Sequence, residues 1–114
     1  MGPFPHAAAP ATITADNPVG TDGFAFVEFA HPHPEELASL FAKMGFVPVL
    51  RHRDGVVTIY RQGDIDFIIT SRPGSHAQRF AETHGPSAPA MGWRMVDSEK
   101  ALSLATERGA EIYC

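Results

Sequence analysis

From Gly23 onward large apolar residues alternate, with Phe24 and Phe26 on one side of the chain and Ala25, Val27 and Phe29 on the other. That pattern predicts a strand buried on both faces. A helix is expected next. Pro34 occupies a first-turn position where its missing N–H costs nothing, Glu35 and Glu36 complement the positive helix end, and Gly45 is placed to stop it. Leu37, Leu40, Phe41 and Met44 follow the i, i+3, i+4, i+7 spacing of one apolar helix face. Three strands then follow: Phe46 to His52, Val56 to Gln62 and Ile65 to Thr70, joined by Asp54-Gly55 and Gln62-Gly63-Asp64 turns. In the last of these, Ile65, Phe67 and Ile69 share one face and Asp66 and Ile68 the other. Pro48 cannot donate to a ladder, so its strand is expected to be an edge, to be bulged, or to begin after it.

The remainder has the same grammar. Ser75 caps a second helix with a stripe of Ala77, Phe80 and Ala81, ended by Gly85-Pro86. Ala90 to Val96 returns to alternation, with Met91, Trp93 and Met95 on one face, and Asp97 caps a helix to Arg108 that Gly109 stops. Tyr113 and Cys114 read as the start of another strand. The later helix overlays the earlier one at an offset of 64 residues, pairing Glu35 with Glu99, Ser39 with Ser103, Leu40 with Leu104 and Gly45 with Gly109. The preceding strands agree in parity if Phe24 and Phe26 correspond to Met91 and Trp93. The expected organisation is therefore a leader over 1–21, extended or disordered through its prolines, and an α+β domain over 22–114. Within it a βαβββ module spans 22–72, and a second module over 87–114 holds only its strand and helix. Because a missing set of strands would leave an unpaired sheet edge, the natural domain is expected to extend about 30 to 40 residues past Cys114.

Composition narrows the function classes. With 44% hydrophobic and 19% charged residues the chain is globular, and its net charge of −4, with only Arg51 and Arg53 close together, argues against a nucleic-acid partner. The start of the chain has neither the basic, apolar pattern of a signal peptide nor a run long enough for a membrane span, so a cytoplasmic protein is expected. A single cysteine excludes an intrachain disulfide.

Several segments in order carry a family resemblance: Asn17-Pro18-Val19-Gly20 with Asp22-Gly23-Phe24, Phe26-Val27-Glu28-Phe29-Ala30, Arg51-His52-Arg53, Tyr60-Arg61-Gln62-Gly63-Asp64-Ile65, and His84-Gly85-Pro86-Ser87. Over roughly Asn17 to Tyr113 the chain resembles the N-terminal half of 4-hydroxyphenylpyruvate dioxygenase, a member of the vicinal oxygen chelate superfamily. The resemblance implies domains built from paired βαβββ modules. It also implies a parent enzyme that uses Fe(II) and dioxygen to convert 4-hydroxyphenylpyruvate to homogentisate and carbon dioxide in tyrosine breakdown. In metal-binding domains of that superfamily the first strand of each module supplies a ligand near its start. By the repeat alignment those positions are Gly23 and Ala90, which cannot ligate. The resemblance thus implies that the iron belongs to a C-terminal catalytic domain, the partner of this one, and that the complete protein is a homo-oligomer. This chain would be inactive alone, with no catalytic, cofactor-binding or metal residue. Two alternatives stay open: a small metal-free module that binds a ligand or dimerises by strand exchange, and the half of a hydroxymandelate synthase-like enzyme.

The chemical candidates have plain readings. His31 and His33 flank Pro32 as loop and cap residues. His52 falls on the opposite strand face from Arg51 and Arg53, as at a solvated strand end. Asp64 and Asp66 read as solvated turn residues, and His6 in the leader as inert. His76 and His84 share a helix face but lie about 12 Å apart by helix rise, too far for one ion. Trp93 and Phe26 are the expected core anchors, whose truncation to Ala would cost ~3 to 5 kcal/mol in a complete domain. Cys114 is an exposed thiol if the chain ends there and a strand residue if the domain continues. No Ser-His-Asp set, phosphate-cradling glycine loop or Cys-x-x-Cys pair is present.

Overall fold

The computed structural model describes residues 10–112. The first part of the expected leader, including His6, and the strand expected at Tyr113 and Cys114 lie outside them. The elements run β1 (Thr21–Ala30), α1 (Pro34–Lys43), β2 (Val47–Arg51), β3 (Val57–Gln62), β4 (Ile65–Thr70), α2 (His76–His84), β5 (Ser87–Met95) and α3 (Ser98–Glu107). The fold is α+β, and its five strands form one mixed sheet in the order β2-β3-β4-β1-β5. The contacts divide the described chain into two units, the first over 25–92 and the second over 10–24 and 93–112.

In the first unit, β1 runs parallel to β4 with Val27 opposite Phe67 and Phe29 opposite Ile69. β3 is antiparallel to both β4 and β2. Pro48 sits on the edge strand, and the register shifts between Pro48 and Leu50, so the edge and bulge readings both apply. Val27, Phe29, Phe67, Ile69, Thr58 and Tyr60 line the sheet face that α1 covers. The core is aromatic. Phe41 is 3% exposed and meets Phe29 at 5.3 Å, Phe67 at 5.1 Å, Tyr60 at 5.6 Å and Phe46 at 5.8 Å between ring centroids. Phe46 in turn stacks on Phe67 at 4.4 Å. Leu37 and Ala38 complete the packing.

The expected helix face is shifted by part of a turn. Leu40 and Met44 are exposed, because the buried stripe is centred on Pro34, Leu37, Ala38 and Phe41 and Leu40 falls on its flank. Gly45 ends the helix with φ +97°, and Phe46 N–H bonds back to Phe41 C=O at 2.9 Å. α2 rests on Ala30 through Ala77 and Ala81, all three buried, and the small side chains let its backbone approach closely. Its Ser75 cap accepts from the Gln78 N–H at 3.1 Å. Phe26 lies against Gly92, where a Cβ would fall inside its ring.

In the second unit, Asn17 locks the turn into β1. Its side chain donates to Thr21 C=O and accepts from the Thr21 N–H and hydroxyl, each at 3.0 Å, while Gly20 takes φ +71°. Val96 N–H donates to Gly20 C=O at 2.8 Å, and Arg94 Nε donates to Asp22 C=O at 3.1 Å. Ala11 N–H reaches Asp22 Oδ1 at 3.2 Å, so hydrogen bonding extends into the segment expected as leader. Asp97 caps α3 through Lys100 N–H at 3.1 Å, and Gly109 takes φ +104°. α1 and α3 share the expected offset and the same stop.

Two burial expectations are corrected here. Trp93 is 46% exposed and Phe24, on which it lies at 4.4 Å, is 53% exposed, so neither is buried and Trp93 is not a core anchor. A large ring adds to a core only where a second layer covers it, and alternation reports parity, not cover.

Candidate functional site

The face of the first unit's sheet opposite α1 presents Glu28, Arg61 and Asp66 among Val57, Ile59 and Ile68. Strand parity puts them there, since Glu28 pairs with Ile68, Arg61 with Asp66 and Ile59 with Ile68. Each charge has a partner. The buried Thr70 hydroxyl donates to Glu28 Oε2 at 2.8 Å, across 42 residues of sequence. Arg61 grips Asp66 through Nε at 2.6 Å and Nη2 at 3.0 Å, and that hydrogen-bonded carboxylate raises the guanidinium's pKa further. A face whose charges are already paired suits packing and binding more than proton transfer.

A second charge cluster ties the β2–β3 hairpin to the segment after β4. Asp54 accepts from Val56 N–H at 3.1 Å, and its two oxygens meet His52 Nδ1 at 2.8 Å and Arg72 Nη2 at 2.7 Å. The Val56 hydrogen bond, ahead of those side chains, holds the Asp54 carboxyl below its usual 3.8. His52, half exposed just past the end of β2, is also a partner of a hairpin carboxylate, a pairing that strand alternation could not report.

The remaining candidates do not converge. His33 stands at the N-cap of α1 with no capping side-chain hydrogen bond, and its N–H donates to His31 Nδ1 at 2.8 Å, occupying that ring nitrogen. Asp66 is held by Arg61. His76 and His84 flank Phe80 along α2, with ring centroids at 5.8 and 4.3 Å. Cys114 lies outside the described residues.

Between the start of α1 and the sheet lies a cavity of about 150 Å³. Pro34, Glu35 and Ala38 wall one side, and Thr58, Tyr60 and Ile69 the other. It has no signature in the sequence, because its walls come from three separate elements.

Among the described residues no three His, Cys, Asp or Glu side chains are grouped to hold a metal ion, and neither Gly23 nor Ala90 carries a ligand atom. No helix among them is long and apolar enough to cross a membrane.

A strand, a helix and three strands with the first and last strands parallel, followed by a further strand and helix, define the vicinal oxygen chelate class. A solved structure described as a xylose isomerase-like TIM barrel/4-hydroxyphenylpyruvate dioxygenase fusion protein superposes with a TM-score of 0.75 at 32% identity, over 90% of this chain and 16% of that one. Within the class, residues 15–114 match the family described as "Hydroxyphenylpyruvate dioxygenase, HPPD, N-terminal", and the chain belongs to that family. The 4-hydroxyphenylpyruvate dioxygenase of Pseudomonas aeruginosa is 41% identical over 107 residues, 91% of this chain and 30% of the relative. Hemolysin VllY of Vibrio vulnificus is 44% identical over 104 residues, 89% of this chain and 29% of the relative. The chain therefore spans about three-tenths of the length of the curated relatives it matches.

Proposed function

We propose that this chain is the N-terminal, metal-free half of a cytoplasmic 4-hydroxyphenylpyruvate dioxygenase-like enzyme. The parent reaction is 4-hydroxyphenylpyruvate with dioxygen to homogentisate and carbon dioxide in tyrosine breakdown, on Fe(II) held by another domain. The chain's own part is structural: it supports the catalytic domain or a neighbouring subunit and is inactive alone. The observation that carries this reading is the family match over 15–114, combined with a span of only about three-tenths of relatives bearing the dioxygenase name. The half-exposed Phe24 and Trp93 pair supplies apolar surface for such a partner.

The test is the intact mass of the native product, captured with an antibody to residues 23–70, followed by an oxygen-uptake assay of that product with 4-hydroxyphenylpyruvate and Fe(II). A product several times heavier than 12.3 kDa that consumes oxygen is expected. A 12.3 kDa product without uptake overturns the reading. It would favour the free-standing, strand-exchanging module, for which the exposed Val47, Val49 and Leu50 of the edge strand β2 offer a pairing surface.

A further inference from the structure

The strand β2 forms one edge of the sheet, and every residue of it is exposed. Its register with β3 sorts those residues by face. Val47 lies opposite Arg61 and Leu50 opposite Ile59, so both leave the sheet on the side away from α1, while Arg51 opposite Thr58 stands on the α1 side. Val49 is the extra residue where the register shifts. One face of the edge is therefore apolar, with Val47 55% and Leu50 61% exposed. The other is cationic: Arg51 ends the strand, and Lys43 stands just ahead of it in the last turn of α1.

Nearby carboxylates are engaged elsewhere. Arg61 holds Asp66, and Asp54 meets Arg72 and His52, whereas neither Lys43 nor Arg51 has an ion pair among the described residues. An exposed edge accepts an added strand, whose side chains alternate between the two faces. Apolar residues of such a strand would meet Val47 and Leu50, and acidic residues would meet Lys43 and Arg51. Pro48 has no N–H to offer, so the ladder is incomplete there and the side chains carry the selection. A second copy of the chain would bring its own Lys43 and Arg51 against these, setting like charges together. A broad anionic surface, membrane or nucleic acid, would face a chain of net charge −4. A narrow acidic segment feels chiefly the cations within a Debye length, about 8 Å at physiological salt.

We infer that the β2 edge is a docking site for an extended segment of a partner protein whose side chains alternate apolar and acidic, the apolar ones on Val47 and Leu50 and the acidic ones on Lys43 and Arg51. The inference stands apart from the parent reaction, and its test reads binding alone.

The probe is a capped peptide alternating valine and glutamate, titrated into the ¹⁵N-labelled full chain while amide shifts are followed. A valine–lysine alternation and a block peptide, with the same valines followed by the same glutamates, run in parallel. Saturable shifts at Val47, Val49, Leu50 and Arg51 are expected, with both control peptides at least tenfold weaker and the affinity falling as salt rises. Lys43→Gln with Arg51→Gln should weaken the acidic peptide at least tenfold, and Val47→Ser with Leu50→Ser should do the same. All four positions are exposed, and the glutamine pair leaves every packed side chain in place, so the comparison survives if the serine pair fails to fold. No saturable shift with the alternating acidic peptide, equal binding of either control, or undiminished binding to the glutamine pair would overturn the assignment. Larger shifts of the same amides from phosphatidylserine vesicles, or from raising the concentration of the chain itself, would overturn it in favour of a membrane or a second copy.

Discussion

Replacing Phe41 by alanine removes the ring on which the core of the first unit converges, and the cost can be worked from its surroundings. Phe41 is 3% exposed and lies within 5.8 Å, centroid to centroid, of four other aromatic rings. A buried phenylalanine hides ~200 Å², which at ~25 cal/mol per Å² gives ~5 kcal/mol as an upper value. Compactness of the unfolded chain lowers that figure, and the residual cavity raises it, for a net of ~4 kcal/mol. Trp93→Ala is the informative contrast. About half of that side chain already meets solvent, and its removal opens no closed cavity, so its loss should cost ~2 kcal/mol. The two variants should therefore differ by about 2 kcal/mol, against a total stability on the order of 5–15 kcal/mol for a domain. Urea unfolding followed by far-UV circular dichroism reads both, since Trp93 is the sole tryptophan and fluorescence would not compare them equally. A Trp93→Ala cost equal to or above that of Phe41→Ala would refute the placement of the core.

Three other outcomes follow from local geometry. The Asp54 pKa is lowered on folding, so its contribution is present above the unfolded carboxylate range and is lost as pH falls through the folded value; between pH 7 and pH 3 the chain should lose more stability than Asp54→Asn does, as read by urea midpoints. Gly92→Ala drives a Cβ into the Phe26 ring and should cost about 1–3 kcal/mol in the same assay, with no loss at Gly63→Ser beyond that of its positive φ, because nothing stands near Gly63. Asp97→Ala removes the Lys100 N–H acceptor and should cost about 1 kcal/mol, with the greatest gain in amide exchange over the first turn of α3.

What the sequence determined by itself was local and periodic. Pro34, Ser75 and Asp97 open helices, Gly45, Gly85 and Gly109 close them, and alternation marks the strands; each signal depends on neighbours within a few residues. Pro48 even declared its strand an edge or bulge, because a missing donor is a covalent fact. Tertiary structure alone decided which of the alternating faces is covered. It put Phe41, Phe46 and Tyr60 at the centre, leaving Trp93 and Phe24 half exposed, since burial depends on the layer that packs above a residue. It likewise joined Thr70 to Glu28 and Asp54 to His52 and Arg72, and brought Thr58 and Tyr60 to the wall of a cavity under α1. These contacts follow from β1 lying parallel beside β4 and from α1 crossing the sheet, and pairing between distant strands is set by the chain's path through space.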